Sequence, residues 1–173
     1  MNPYTLTMLR HGETEAAGPP SGHHDVLLTQ AGAAKMNESW KRLSAMAPVS
    51  TMATSPLLYC REFAVRRALE ISAPLKVEPR FSDYGCDPWQ DDNPEAFHTR
   101  VLTGFSEWIA STRGSHRVLV THGEVITTLL AELLLVELPL ARMMTIQPGG
   151  FVHLSIMEDH PAFLMHLEAP LPE

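Results

Sequence analysis

The chain has 173 residues and a formal net charge of −7, with 13 Lys and Arg against 20 Asp and Glu. This length suits one folded domain over residues 1–173, and 45% hydrophobic with 19% charged residues excludes an intrinsically disordered chain. Nucleic-acid-binding surfaces need clustered Lys and Arg, so the acidic balance argues against a nucleic-acid partner.

Location is predicted from the N-terminus, the apolar stretches and the cysteines. The first residues lack the pattern of a secretory signal, and the longest apolar stretch, 125–136, is interrupted by Glu132 and too short to span a bilayer. Cys60 and Cys86 lack the spacing of a metal or redox motif. We therefore expect a cytoplasmic protein with no membrane partner and with unbridged thiols.

The first half of the chain alternates between strands and helices. We predict a strand at 4–9, a Gly- and Pro-rich loop at 10–28, a helix at 29–46, a strand at 50–54 and a helix to residue 72. Thr29 is expected to cap the first helix. Ser55 is expected to cap the second, with Pro56 in its first turn.

The second half continues this alternation. We predict a strand at 75–77, a loop at 79–94, a helix at 95–111, a strand at 117–121, a helix at 124–136 and strands at 151–157 and 163–167. The pattern indicates a three-layer α/β/α sandwich with a mostly parallel sheet. Its ligand site should lie beyond the carboxyl ends of the strands.

Two of these strand ends carry a histidine. Arg10 and His11 follow the first strand, and His122 follows the strand at 117–121. A neutral imidazole can attack phosphorus, and a neighbouring guanidinium can bind two phosphoryl oxygens at once. The candidate site for an anionic substrate is therefore the place where these strands end.

Five short motifs, in order, resemble those of the histidine phosphatase superfamily, also called the phosphoglycerate-mutase-like family. They are Arg10-His11-Gly12; Gly22-His23-His24-Asp25 with Leu28-Thr29 and Gly32; Ser55-Pro56-Leu57 with Cys60 and Ala64; Asp83-Tyr84-Gly85 with 97–101; and 118–123. The second motif is similar to that of the α-ribazole phosphatase branch. The resemblance extends along most of the chain and implies the same fold, with a reduced lid because only 86–95 precede the next helix.

The resemblance also implies roles for single residues. His11 would be the nucleophile, Arg10 a phosphate clamp, and His122 a second imidazole that contacts the phosphoryl oxygens. Further expected substrate contacts are Glu13, Thr14, His24, Tyr59, Gly123 and Glu124. The family chemistry needs no metal or other cofactor, and the expected partner is a small-molecule phosphate ester.

Two positions depart from the family pattern. Tyr59 stands where the second motif has an Arg, and Phe81 stands where the third places a Glu that protonates the leaving oxygen. Asp83 is the favoured replacement for that acid. Glu124 ranks second, because it would lie at a helix N-terminus, where the helix dipole stabilises the ionised carboxylate.

Three functions are consistent with these observations. We favour a metal-independent phosphomonoesterase that works through a phosphohistidine, with α-ribazole phosphate as the nearest substrate by resemblance. The first alternative is a phosphate-binding or regulatory relative with little or no turnover, which the changes at Tyr59 and Phe81 would suit. The second is a protein-phosphohistidine phosphatase, which the short lid would suit.

Overall fold

A computed structural model describes residues 3–15, 26–86, 88–157 and 159–168. Its strands are β1 (Tyr4–Arg10), β2 (Thr51–Thr54), β3 (Leu75–Val77), β4 (His116–Thr121), β5 (Phe151–Ile156) and β6 (Phe163–Leu167). Its helices are α1 (Gln30–Met46), α2 (Leu58–Ile71), α3 (Pro94–Ser111), α4 (Gly123–Leu134) and α5 (Leu138–Arg142), with a 3₁₀ turn at Pro79–Phe81. None of the helices in these ranges combines the length and the apolar character that crossing a membrane requires.

The six strands form one mixed sheet in the order β3-β2-β4-β1-β5-β6. The pairs β3–β2, β2–β4 and β4–β1 are parallel, whereas β5 runs antiparallel to β1 and β6 runs antiparallel to β5. The prediction of an α/β fold with a mostly parallel sheet is therefore confirmed.

Apolar side chains alternate between the two faces of the central strands, as the two-residue period of a strand requires. In β1, Met8 joins one buried cluster and Leu9 the other. The first cluster packs the sheet against α3 and α4 through residues such as Trp108 and Leu129. The second packs it against α1 and α2, for example through Trp40. The sheet is thus the middle layer of three.

The starts of α1 and α2 differ from each other in how they are capped. Thr29 caps α1 as expected, because its side chain accepts a hydrogen bond from the backbone N–H of Gly32. The prediction for Ser55 is wrong: α2 begins at Leu58 with Leu57 at the N-cap position and no side-chain cap. The hydroxyl of Ser55 lies instead 2.7 Å from Nε2 of His122.

The segment between β3 and α3 is more ordered than the predicted loop at 79–94. It begins with the 3₁₀ turn, in which Phe81 is fully buried and packs edge-on against Trp108 with ring centroids 6.3 Å apart. Asn93 caps α3 by accepting a hydrogen bond from the N–H of Ala96. Phe81 therefore occupies the position of the missing acid as a core residue.

Candidate active site

The carboxyl ends of β1 and β4 are neighbours in the sheet and bring His11 and His122 together. Arg10 pairs with Thr121 in the parallel register, and the N–H of His11 donates to the carbonyl of Thr121 at 3.0 Å. On the other side, the N–H of Gly149 donates to the carbonyl of His11 at 2.9 Å. The two imidazole rings lie 5.2 Å apart, so the backbone of the sheet edge sets their separation.

The turn after His11 lies directly on the start of α1. A Cβ on Gly12 would overlap the backbone of Gly32, and a Cβ on Gly32 would overlap the backbone of Glu13. The N–H of Thr29 also donates to the carbonyl of Glu13 at 2.9 Å. Both glycines are therefore needed for this close approach, which fixes the turn that follows His11.

His11 is held in the form that a nucleophile needs. Its Nδ1 lies 2.8 Å from the carbonyl of Gly12, and because a carbonyl only accepts, Nδ1 carries the hydrogen and Nε2 keeps its lone pair. Burial lowers the pKa of His11 to about 4, and the positive charge of Arg10 adds to this effect. The ring is thus neutral at pH 7 and can attack an electrophile through Nε2.

A pocket of about 380 Å³ opens beside His11. It is lined by Arg10, His11, Asp83, Gly123, Glu124, Ile126, Thr127, Arg142, Thr145 and Ile146. Arg10 is fixed at its wall because Nη1 donates to the carbonyl of Ile146 at 2.6 Å, while its buried Nε has no partner among the described residues. A pocket with a neutral imidazole and guanidinium groups suits an anion such as a phosphoryl group.

His122 lies behind His11 and has no exposed surface. Ser55 Oγ accepts from the N–H of Leu57 at 3.3 Å, which leaves the hydroxyl hydrogen free to donate to His122 Nε2. In that tautomer Nδ1 carries the hydrogen, and this buried atom has no hydrogen-bond partner in the described part of the chain. Burial holds the pKa of His122 well below its usual value. Contact between His122 and a phosphoryl oxygen stays a prediction.

Asp83 lies at the pocket wall, partly buried, with Oδ2 3.9 Å from Nδ1 of His122. Its Oδ1 accepts from the N–H of Tyr84 at 2.9 Å. Burial raises the pKa of this carboxyl, and the negative charge of Glu124 raises it further. A raised pKa favours the protonated form, which a general acid requires.

Tyr59 packs within the interior next to the two histidines. Its side chain is 8% exposed, and its ring centroid lies 4.6 Å from that of His11 and 5.6 Å from that of His122. Burial raises the pKa of its hydroxyl, so the residue stays neutral. In this position the ring of Tyr59 packs against that of His11, and its expected contact with substrate stays a prediction.

Of the other residues expected to contact the substrate, some line the pocket and others do not. Gly123 and Glu124 line it, and Glu124 is about half exposed. Glu13 is exposed, and Thr14 pairs with Leu28 across an isolated bridge. His24 lies outside the described residues.

Two arginines at the site were not predicted from the sequence. Arg142, at the end of α5, lines the pocket, with Nη2 3.9 Å from a carboxylate oxygen of Glu124. Arg100 is buried and donates to the carbonyls of Arg80, Ser82 and Asp83 at 2.6 to 3.1 Å. It therefore holds the loop that carries the proposed acid.

A signal for α5 was present in the sequence. Pro139 lies at the start of this helix, where its missing N–H costs no hydrogen bond. The helix has only five residues, too few for a hydrophobic period to be recognised.

Comparison with solved structures gives the same fold. A mycobacterial glucosyl-3-phosphoglycerate phosphatase aligns with a TM-score of 0.77 at 19% identity, covering 98% of this chain and 100% of the other. The α-ribazole phosphatase of Shigella flexneri aligns with a TM-score of 0.72 at 22% identity, covering 95% and 96%. A phosphoserine phosphatase mutant of Entamoeba histolytica, solved with phosphoserine, aligns with a TM-score of 0.69 at 18% identity, covering 96% and 97%.

Sequence comparison assigns the family. Among proteins of curated function, none matches the chain significantly. The family model described as histidine phosphatase superfamily (branch 1) matches residues 6–95 and 87–168. These matches span nearly the whole chain and include His11, His122 and all the residues that line the pocket beside His11. The chain belongs to branch 1 of the histidine phosphatase superfamily.

Proposed function

We propose that this protein is a metal-independent phosphomonoesterase in which His11 transiently carries the phosphoryl group. The observation that supports this most is the state of His11: a neutral ring, oriented by the carbonyl of Gly12, beside Arg10 in a pocket that Arg142 also lines. Membership of the superfamily supports phosphatase activity in general, without naming a substrate.

In the first step, Nε2 of His11 attacks phosphorus and the bond between phosphorus and the ester oxygen breaks. The leaving alkoxide takes the proton of the Asp83 carboxyl, whose pKa is raised by burial, which favours the protonated form. The products of this step are phosphohistidine, the free alcohol and the Asp83 carboxylate.

In the second step, the Asp83 carboxylate takes a proton from a water molecule as the water oxygen attacks phosphorus. The bond between phosphorus and His11 breaks, inorganic phosphate leaves, and the neutral imidazole and the protonated Asp83 are restored. Arg100 acts here as a positioning residue, since its hydrogen bonds to the carbonyls of Ser82 and Asp83 hold the loop in place.

Two guanidinium groups face the phosphoryl group in this proposal. Arg10 lies at one wall of the pocket, and Arg142 lies at another. Arg142 therefore supplies the second cation that the family motif places at the position of Tyr59. A charged hydrogen bond of this kind contributes about 1.5–3 kcal/mol.

The substrate class that we propose is a small phosphate ester. Several structural neighbours are phosphatases described as acting on such esters, including α-ribazole phosphate and glucosyl-3-phosphoglycerate. α-Ribazole phosphate remains our candidate by the sequence resemblance, and a cytoplasmic location remains a prediction.

A phosphate-binding relative without turnover is the alternative, because Phe81 is a core residue and Tyr59 is buried. Incubation with a ³²P-labelled aryl phosphate distinguishes the two. We expect acid-labile, alkali-stable label on the protein and phosphate release that persists in EDTA. We also expect His11→Ala to abolish the label and to lower kcat/KM by roughly 10³-fold or more.

His160→Ala is the matched control, because His160 is exposed. This variant should be labelled like the wild type. Label that persists in His11→Ala contradicts the proposal, and a wild type that binds phosphate without becoming labelled supports the binding relative.

A further inference from the structure

The segment 146–150, which leads into β5, is hydrogen-bonded to the two residues at the end of β1. The carbonyl of Ile146 accepts from Nη1 of Arg10 at 2.6 Å, which fixes the guanidinium group. The N–H of Gly149 donates to the carbonyl of His11 at 2.9 Å, which fixes the backbone of the nucleophile. The position of this segment therefore influences where Arg10 and His11 lie.

On its other side, this segment is bonded to Glu168, the residue that follows β6. The side-chain amide of Gln147 donates from Nε2 to Oε1 of Glu168 at 2.9 Å. The backbone N–H of Gln147 donates to the carbonyl of Glu168 at 3.3 Å. Two hydrogen bonds between the same two residues fix their relative orientation as well as their distance. Gln147 thus links Glu168 to the segment that holds Arg10 and His11.

The carboxylate of Glu168 is itself fixed by two cations of α1. Nζ of Lys35 lies 2.8 Å and Nη1 of Arg42 lies 3.1 Å from the same oxygen, Oε1, that accepts from Gln147. The side chain of Glu168 is only 10% exposed, and salt screens partly buried pairs less than surface pairs. Glu168 therefore offers Gln147 an acceptor in a defined position.

Helix α1 also contacts the segment directly, at Gly149. Ser39 donates from Oγ to the carbonyl of Gly149 at 2.5 Å. Gly149 has φ +75°, and a Cβ at this position would overlap the side chain of Lys35. The stem of Lys35 thus lies against the segment, while its ammonium group binds Glu168.

We infer that Glu168 is a positioning residue that acts through Gln147 on Arg10 and His11. Glu168 is not among the residues that line the pocket beside His11, so its effect is transmitted by the segment 146–150. A displacement of about 1 Å at a reacting group can lower the rate by as much as about 100-fold. The inference rests on the proposed phosphatase function, because the reaction is what the positioning serves.

Two substitutions break the link from opposite sides. Glu168→Ala removes the side-chain acceptor of Gln147, and Gln147→Ala removes the donor while leaving Glu168 with its two cations. We expect each to lower kcat/KM for 4-nitrophenyl phosphate by about tenfold or more. Gln147→Ala keeps the inference testable if Glu168→Ala does not fold.

Glu168→Gln distinguishes positioning from a general contribution to stability. The new amide keeps an oxygen that can accept from Gln147, so kcat/KM should stay within about threefold of the wild type. It loses the negative charge that Lys35 and Arg42 bind, so the midpoint of urea unfolding should fall. A merely structural role would make activity and stability fall together in both Glu168 variants, and that result overturns the inference.

Glu38→Ala is the matched control. Glu38 pairs with the same Lys35, at 3.9 Å, but its side chain is largely exposed and is bonded neither to Gln147 nor to Gly149. The wild-type kcat/KM is expected for this variant. A loss in Glu38→Ala as large as that in Glu168→Ala would assign the effect to the charge of Lys35 and overturn the inference.

Binding of inorganic phosphate, measured by NMR titration, separates the inference from the proposed function. Displacement of Arg10 should raise the Kd for phosphate about tenfold in Gln147→Ala, whether or not the protein hydrolyses esters. A protein that hydrolyses no ester but shows this weaker binding loses the function and keeps the inference. A protein in which Gln147→Ala hydrolyses esters and binds phosphate like the wild type keeps the function and loses the inference.

Discussion

Two pairs of neighbouring histidines in the described residues are similar in geometry and differ in their hydrogen bonds. His11 and His122 lie 5.2 Å apart beyond the carboxyl ends of β1 and β4, and His116 of β4 and His153 of β5 lie 5.5 Å apart within the sheet. Burial lowers the pKa of all four rings. A lowered pKa therefore does not by itself identify the functional pair.

Hydrogen bonding distinguishes the two pairs. His116 donates from Nδ1 to the carbonyl of Ala47 at 3.0 Å, so its Nε2 accepts from the hydroxyl of Thr7 at 2.8 Å. The same hydroxyl oxygen accepts from Nδ1 of His153 at 2.7 Å. One threonine thus joins both rings in a connected network, as is typical of buried polar groups in a core. At the site, by contrast, Nδ1 of His122 has no such partner among the described residues.

Of the effects that would distinguish the two histidine pairs, the largest is expected on catalysis, from a change at Asp83, whose carboxyl lies 3.9 Å from Nδ1 of His122. Asp83→Asn removes the proton donor and should lower turnover of alkyl phosphates by roughly 10²–10⁴-fold, while aryl phosphates, whose leaving groups need little protonation, change little. Steady-state kinetics with both classes of ester measures this. Glu124→Gln is the matched control, and leaving-group dependence in that variant instead would place the acid on α4.

A smaller effect, on stability alone, is expected in the middle of the sheet. Thr7→Val keeps the side-chain shape but removes the hydroxyl, which should cost about 1–3 kcal/mol of unfolding free energy for each imidazole left without its partner. Urea denaturation measures the loss, and kcat should stay at the wild-type value. Thr5→Val is the control, since that hydroxyl donates to an exposed carbonyl. A Thr7→Val variant as stable as the control would show that the network is not a stabilising one.

The smallest effect is expected in how stability and kcat/KM depend on pH, which also distinguishes the His116–His153 pair from the His11–His122 pair. The pKa of His116 is lower in the folded protein than its ordinary 6.5, so the unfolded chain binds more protons below that pH. Stability is therefore full above pH 6.5 and falls as the pH decreases, by up to about 1.4 kcal/mol per pH unit for each such group. The acid limb of kcat/KM should lie lower, near the pKa of about 4 of His11.

Denaturation at a series of pH values, with His116→Gln as the comparison, measures the first of these effects. The variant should lose stability less steeply below pH 6.5 than the wild type. An equal slope in both proteins would assign the dependence to other groups.

The sequence predicted most of the elements and singled out His11 because both depend on local patterns. Strand and helix periods gave the order of the elements, and the parallel arrangement placed the ends of β1 and β4 side by side. Neither periodicity nor motif spacing could show that Ser55 would bond to His122 rather than cap α2. That contact depends on β2 and β4 being neighbours in three dimensions.

Arg142 and Arg100 were missed for a related reason. Arg100 lies on α3 and Arg142 at the end of α5, and whether they reach the site depends on how these helices pack. The buried Thr7 network was also invisible in the sequence, since its members come from three separate strands.

The backbone contact between Gly12 and Gly32 limits how the site can be redesigned. Any side chain at either position would push α1 away from the turn that carries His11, and a compensating change at the other glycine is not available because each already lacks a Cβ. Directed-evolution libraries that seek new substrate preferences should therefore leave this pair constant.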